Sequence, residues 1–381
     1  MKKMLFRKFL IDNLIFLTIS LISTTIIIWV FQAVNFLDII IEDGRSYEVY
    51  LKYSLLNLPK IMSRIFPFAV FFSFYYVLIS YEINNELIIF WNFGVNKISL
   101  VKIVFFFSFF LLIFQILLSA FLVPKTLDLA RSLIRLSSID FVEDFIKEKK
   151  FNDLIKGLTI HAETKDKNGN LKNIYLKNNI NEDNFGLTIA KSGKIEKQNN
   201  KTYLILYDGQ NITANKNEIT NFSFSQSTLN LTNFESNIMK TFKTQESATK
   251  DLVYCYLKLK NIKLKRVNFE KNFFKENCQT ENLKVIFREL YKRIILPLYI
   301  PVLILTSLLL ILSSKENTNY FMYRIFVFLF GFCLIILSET TLRYIQNTLE
   351  DNIIYICIPF IISIILYLFF SLKFNKKKFR N

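Results

Sequence analysis

The sequence predicts an α-helical membrane protein with six transmembrane helices and an inserted all-β domain of jelly-roll-like type. Three observations carry this. Of 381 residues, 52% are hydrophobic and 21% are charged, against about 45–50% and about 25% in soluble domains. The apolar excess is clustered in charge-free blocks, six of which approach the roughly 20 residues a bilayer-crossing helix needs. Between the third and fourth blocks the pattern changes to apolar–polar alternation broken by turn residues, the signature of short antiparallel strands.

The six spans run roughly over Leu14–Leu37, Ile65–Tyr81, Ile103–Val123, Ile294–Leu312, Ile325–Ser338 and Ile353–Leu372. The first is too long for a signal-peptide core and no small-residue cleavage site follows it, so it is expected to persist as a helix. Pro297 and Pro301 near the start of the fourth are tolerable where neighbouring helices satisfy the freed backbone. The fifth is the shortest, and its helix is expected to continue through the polar Glu339–Arg343 turn.

Lys and Arg in the short loops set the orientation. Lys2, Lys3, Arg7, Lys8, Lys97, Lys102, Lys315, Arg324 and the tail Lys373–Arg380 share one side, against Arg45, Lys52, Lys60, Arg64 and Arg343 on the other. Both termini are therefore expected in the cytoplasm, and the long segment between spans three and four outside it. The chain divides as 1–123 (spans one to three, with a short loop helix near 82–96), 124–293 (the external β-domain and a helical connector) and 294–381 (spans four to six and a basic tail).

Within the insert, Leu158–Glu163, Asn173–Lys177, Leu187–Ala190, Thr202–Tyr207, Phe222–Ser225 and Thr228–Thr232 read as strands, making a sandwich or jelly roll. Lys167–Asn170, Ser192-Gly193, Asp208-Gly209 and Asn215–Asn217 read as the turns between them. The inward residues Ile160, Ile174, Leu176, Ile189, Leu204 and Leu206 are core or, in a roll open on one side, a path for apolar ligands. From about residue 245 the pattern becomes helical, and a polar helix over Asn282–Arg293 leads into span four.

The remaining chemistry is sparse. The net charge of +17 sits on no recognisable nucleic-acid module, so no nucleic-acid partner is expected. A single His161 and four scattered cysteines exclude a His-based triad and a multi-His metal site. Cys255 and Cys278 lie in the insert and form a bridge only if it faces an oxidising compartment. There is no GxxxxGK[ST], HExxH or GxSxG motif. No catalytic residue, cofactor or metal is expected, and any energy-driven work needs ATP bound by a partner.

The loop between spans two and three, Tyr81-Glu-Ile-Asn-Asn-Glu86-Leu-Ile-Ile-Phe90-Trp91-Asn-Phe-Gly94, is polar first, apolar next and closed by a glycine suited to a helix C-terminus. Its plain reading is a connecting turn. Its functional reading is a short amphipathic helix that docks a cytoplasmic protein. The pattern resembles the LptF/LptG permease family of lipopolysaccharide transport. The likeness extends over nearly the whole chain: Gln32 ending span one, Pro59 and Pro67 around the start of span two, Phe151 through Gly157–His161 and Asn168–Tyr175 in the β-domain, and Arg288–Pro297 leading into span four. Gly157–His161 leans toward LptF.

The resemblance implies a non-catalytic permease half of an ABC transporter in the bacterial inner membrane, with a periplasmic β-jelly roll. It implies an LptG-like permease, an LptB-like ATPase dimer and an LptC-like periplasmic protein as partners, and lipopolysaccharide as substrate. Glu86 would contact the ATPase, with Phe90 and Trp91 as apolar anchors and Gly94 closing the helix; Trp91 is also readable as a membrane-interface anchor. Arg343 would face lipid phosphates at the external end of span five or simply pair with Glu339 one turn away. The family often has a cation at the external end of span one. Here Asp38, Glu42 and Asp43 stand there, with Arg45 the nearest replacement and Gln32 at the gate surface. Two rivals remain: the LptG-type half of the same transporter, and a non-transporting membrane scaffold whose β-domain binds other proteins.

Overall fold

The computed structural model describes residues 2–37, 47–145, 149–155, 158–166, 170–181, 184–198, 201–215, 218–230, 244–259, 278–279, 282–346 and 349–376. Of the positions read from sequence, Arg45, Asp38, Glu42, Asp43 and Gly157 lie outside them. The helices begin with α1 (Lys2–Asn35), α2 (Tyr47–Leu56), α3 (Leu58–Ile83), α4 (Glu86–Asn92), α5 (Lys97–Leu117) and α6 (Val123–Phe145), with a π turn over Leu118–Leu122 joining α5 to α6. Strands β1 (Phe151–Ile155), β2 (Leu158–Lys165), β3 (Asn170–Asn181), β4 (Asn184–Gln198), β5 (Lys201–Asn215) and β6 (Glu218–Asn230) follow. Then come α7 (Thr249–Leu259), α8 (Leu283–Ile294), α9 (Tyr299–Leu308), α10 (Tyr320–Tyr344) and α11 (Leu349–Lys376). Among the described residues, six helical segments are long and apolar enough to cross a membrane, so the predicted class holds.

The chain divides into two compact units. One comprises Met1–Phe31, Leu56–Asp128 and Phe242–Asn381, the other Gln32–Leu55 and Leu129–Thr241. In the first unit α9 is the central helix: every residue from Tyr299 to Leu308 is buried, and it packs on α3, α5, α10 and α11. At the other extreme, only 11% of the apolar window of α11 and 17% of that of α1 are buried, against 78% for Leu283–Leu312. Gly331 of α10 admits this packing, because a Cβ there would lie 2.2 Å from the Phe71 ring of α3.

Four prolines in these helices show how the bundle handles lost backbone donors. A proline at i+4 removes the ordinary helical donor to the carbonyl of residue i, and an apolar solvent supplies no replacement. Gln115 Nε2 donates to the Ser63 carbonyl, opposite Pro67, at 2.7 Å. Ser119 Oγ donates to Arg293, opposite Pro297, at 3.0 Å, and the Tyr291 hydroxyl to Tyr355, opposite Pro359, at 3.0 Å. The Thr249 hydroxyl donates to Ala120, opposite Pro124. Each polar side chain comes from a different helix than the carbonyl it serves, so these bonds tie the packing together as well as satisfying the backbone.

In the second unit the described strands form one antiparallel sheet in the order β1-β2-β3-β4-β5-β6. This is a meander, not the two-sheet sandwich among the sequence expectations; the hairpin connections keep successive strands adjacent. Two expected turns prove to be strand interior. Ser192 pairs with Tyr207 and Gly209 with Ala190, midway along the 15-residue strands β4 and β5. Asp208 at φ 49° and Asn173 at φ 49° mark a line across β3 and β5 where the inward–outward alternation of side chains slips while the register continues unshifted. Asn and Asp tolerate that left-handed geometry better than other side chains. Past the slip, Leu171, Gly193 and Leu206 take up the buried face that Ile174 and Ala190 hold before it.

Candidate functional site

The loop between α3 and α5 is a helix, α4, seven residues long. It is bracketed by two left-handed residues, Asn85 at φ 61° and Gly94 at φ 68°. Its end is a Schellman motif: Gly94 N–H donates to the Trp91 carbonyl at 2.9 Å and Val95 N–H to that of Phe90 at 3.0 Å. The sequence expectation for Gly94 as the closing residue is therefore met locally.

α4 turns Leu87 and Phe90 into the bundle and leaves Ile88, Ile89 and Phe93 exposed. Phe90 is 3% exposed and packs edge-on to Phe6 and Phe9 of α1, at 6.2 and 6.4 Å between ring centroids. This corrects its reading as an outward anchor: an aromatic at the middle of so short a helix is what holds the helix to its own bundle. Trp91 is half-buried, with the Lys97 ammonium 5.2 Å from its ring centre. The apolar residues free to meet another protein are Ile88, Ile89 and Phe93, which helical spacing alone did not separate from the buried set.

Glu86 opens α4. Its carboxylate lies 3.0 Å from the Lys8 ammonium, with the two side chains 31% and 62% exposed. Lys2 donates to the Gly94 carbonyl at 2.9 Å, and the Tyr81 hydroxyl donates to Asp12. The first three turns of α1 are thus bonded to both ends of α4 and to the end of α3. A groove of about 470 Å³ lies beside this corner, lined by Met4, Leu5, Arg7, Lys8, Ile11, Asp12 and Phe93.

At the opposite end of the bundle, Arg293 is the residue the sequence reading did not single out. It is 2% exposed, and its guanidinium is fully engaged. Nε donates to Glu289 at 3.1 Å, Nη1 to the Ser247 carbonyl at 2.9 Å and the Thr249 hydroxyl at 3.0 Å, and Nη2 to the Gln245 carbonyl at 2.9 Å. A buried charge of this kind is stable only when paired and hydrogen-bonded. Here the planar fork fastens the segment that leads into α7. A spacing signal existed, since Glu289 and Arg293 are one helical turn apart, but the carbonyl partners are more than 40 residues away. Cys255 of α7 is bridged to Cys278, with Cα atoms 5.7 Å apart, which resolves the alternative left open by sequence.

Arg343 and Glu339 of α10 are both exposed. Among the described residues no ion pair joins them, so the plain i, i+4 reading is not what the structure contains. Gln32 is half-buried near the end of α1, where the Tyr50 hydroxyl of α2 donates to the next residue, Ala33, at 2.9 Å.

On the sheet, Ile160, Ile174, Leu176, Leu204 and Leu206 form the buried face with Ala162, Leu171, Ala190 and Ile195. Ile189 does not join them. It pairs with Tyr175, which pairs with His161 and that with Phe151, so all four stand on the other face. Ala190 takes the place expected of Ile189, because the larger residue fits the open face and the smaller one the crowded row beside Ile174.

Among the described residues no group of three His, Cys, Asp or Glu side chains is arranged to hold a metal. The arrangement places exposed apolar residues beside Glu86 at one end of a helical bundle, a charged cluster at the other and an apolar face on the sheet. None of these presents a nucleophile beside a base.

Comparison with known proteins agrees with this layout. The family described as lipopolysaccharide export system permease LptF/LptG matches residues 5–373. An uncharacterized protein of Rickettsia prowazekii (strain Madrid E) is 25% identical over 361 residues, covering 93% of this chain and 93% of that protein.

Proposed function

We propose, from the premise that this chain belongs to the LptF/LptG family of lipopolysaccharide export permeases, that it is the LptF-type half of an ATP-driven transporter. In this reading it extracts lipopolysaccharide from the bacterial inner membrane and passes it to a periplasmic bridge. An LptG-like permease completes the membrane channel, an LptB-like ATPase dimer supplies energy and an LptC-like protein receives the lipid. Both termini and α4 face the cytoplasm, and the sheet faces the periplasm.

The observation that carries the reading is α4: a helix held to α1 and α3 by its buried face, presenting Ile88, Ile89, Phe93 and the edge of Glu86. Apolar residues flanking a charge at the end of a rigid bundle suit a docking contact that pushes on the spans. Two further features support the arrangement. The poorly buried α1 has apolar surface to give to a second permease. The Cys255–Cys278 bridge belongs in an oxidising compartment, which favours a periplasmic connector. Arg343, exposed at the end of α10, is the cation we assign to lipid phosphate, and the buried sheet face around Ile174 and Leu204 is the surface we assign to acyl chains.

The test is purification of the tagged chain from its native membranes in mild detergent, with identification of what accompanies it by mass spectrometry. Recovery of a P-loop ATPase and a second six-helix permease supports the reading. Recovery of the chain with extracytoplasmic proteins alone, under conditions that preserve other ABC transporters, rejects it in favour of a scaffold.

A further inference from the structure

α4 is bonded to α1 on one side, and on the other it meets the entry to α10 through one residue. Glu82 lies in the last turn of α3. Its carbonyl accepts from the Asn85 N–H at 3.2 Å, the bond that turns the chain from α3 into α4. Its side-chain Oε1 accepts from the Lys315 N–H at 2.8 Å, and Lys315 lies in the loop 313–319 that leads into α10. We propose that Glu82 is a positioning residue that carries movement of α4 into α10. This assignment rests on α4 being the place where an ATPase docks, and it names the span on which that docking acts.

Both halves of the contact suit the transmission of force. A hydrogen bond to an ionised carboxylate is roughly twice as strong as one between neutral groups. The Lys315 ammonium adds a bond to the Ile83 carbonyl at 3.3 Å, so the end of α3 holds the loop at two points. The loop itself is braced. Asn317 N–H donates to the Ser314 carbonyl at 3.2 Å and Asn317 Nδ2 to Ser313 Oγ at 3.1 Å. Tyr320 N–H, at the start of α10, donates to the Asn317 carbonyl at 3.0 Å. A pull on Lys315 therefore reaches Tyr320 through a series of bonds and not through slack backbone. Past the end of α4, Lys97 donates to the Ile311 carbonyl at 3.0 Å, just ahead of the same loop.

The side-chain bonds of α4 and its closing glycine described above run to α1 instead. α10 meets α3 a second time, where the Tyr75 hydroxyl donates to the Arg324 carbonyl at 3.0 Å. Tyr75 stands about two helical turns before Glu82 and so lies away from the junction with α4. A bond that merely closed a loop would affect stability alone, whereas a positioning residue affects how much work each ATP performs.

The backbone donor supplies the variants for the test. Glu82→Ala removes the acceptor and Lys315→Pro removes the donor. Lys315 is the second residue of the turn closed by Asn317, a position that proline favours. Glu82→Gln keeps an acceptor oxygen and Lys315→Ala keeps the N–H, so both should stay close to wild type. Tyr75→Phe breaks the other bond between α3 and α10 and is the control for stability. The full chain with its co-purified partners is placed in proteoliposomes, and released lipopolysaccharide is measured per ATP hydrolysed. Glu82→Ala and Lys315→Pro are expected to release at least about fivefold less lipid per ATP, the lower end of coupling between two sites. Tyr75→Phe should keep the wild-type ratio. An unchanged ratio in both Glu82→Ala and Lys315→Pro overturns the proposal and leaves the docking reading standing. A wild type without ATP-driven release removes that reading and the proposal with it.

A second measurement needs no partner. Spin labels on Ile89→Cys and Phe321→Cys, both exposed positions, report the distance between α4 and α10 in the isolated full chain, with the free Cys333 and Cys357 replaced by serine. The distance distribution should broaden in Glu82→Ala and Lys315→Pro and stay narrow in Tyr75→Phe. A distribution untouched by both lesions overturns the proposal.

Discussion

Gln115 of α5 donates to the carbonyl of Ser63 in α3 at 2.7 Å, at the point where Pro67 withholds the helical N–H. The same substitution of a side-chain donor for a missing backbone donor occurs at Pro124, Pro297 and Pro359. A proline in these spans is therefore one half of an interhelical contact.

Gln115→Leu leaves the Ser63 carbonyl unpaired, a cost of about 1–3 kcal/mol that is partly offset because the unpaired Gln115 Oε1 goes with the side chain. Pro67→Ala should recover part of that loss in the double variant by restoring the N–H. Thermal unfolding of the four members of this cycle in detergent is the measurement, and strict additivity would refute the pairing.

Arg293→Met should be among the most damaging single changes in the bundle. Glu289 would be left without its partner, and the carbonyls of Gln245 and Ser247 would lose their donor. Removing one member of a buried charged set costs about 3–5 kcal/mol. Arg293→Lys should rescue little, because one ammonium cannot reach the four acceptors that the fork spans. Expression level and unfolding temperature, compared with the exposed control Arg288→Met, check both statements.

Gly331→Ala drives a methyl into the Phe71 ring, 2.2 Å from its nearest atom. Overpacking of this kind costs about 1–3 kcal/mol. Phe71→Leu alone should also destabilise, yet the pair should be less damaged than the sum of its members. A double variant as poor as that sum would show that the contact is not the cause.

The Cys255–Cys278 bridge closes a segment with a sequence separation of 23; loop-closure entropy puts its contribution at about 3 kcal/mol. Alkylation of the denatured, unreduced protein should label Cys333 and Cys357, which are free, and spare the other two. Labelling of all four in freshly isolated membranes would contradict both the bridge and an oxidising location for the connector.

Much of this was legible in the sequence, and the failures have physical causes. The six spans follow from length and apolarity alone, and each falls on one long helical segment, but the helices outrun the apolar cores by five residues or more at most ends, as Lys2–Asn35 does before Leu14. The helical connector followed from periodicity, and the continuation of α10 through Arg343 from the shortness of the fifth apolar block. Side-chain direction was harder. Phe90 and Ile89 are adjacent and equally apolar, and only the packing of α1 against α4 decides that Phe90 goes inward. Asp208-Gly209 has turn chemistry, yet the left-handed geometry it favours also lets the side-chain alternation flip inside a continuous strand, and so Ile189 falls on the face opposite to the one expected. Arg293 was hidden because its partners are carbonyls, which carry no residue signature.

The short distance between Glu86 and Lys8 bears directly on function. An exposed pair of this type is worth about 1 kcal/mol or less, so Glu86→Ala should leave folding nearly unchanged. Weak pairing also leaves Glu86 free to exchange Lys8 for a cation on a docked protein. Lys8→Ala should therefore preserve transport where Glu86→Ala does not.

The most direct measurement of the central claim is ATP-dependent release of lipopolysaccharide from proteoliposomes that contain this chain with its co-purified partners. Wild type and Lys8→Ala are predicted to release lipid on addition of ATP, and Glu86→Ala to hydrolyse ATP without releasing it. Undiminished release by a properly folded Glu86→Ala, or no ATP-dependent release by wild type, would contradict the account.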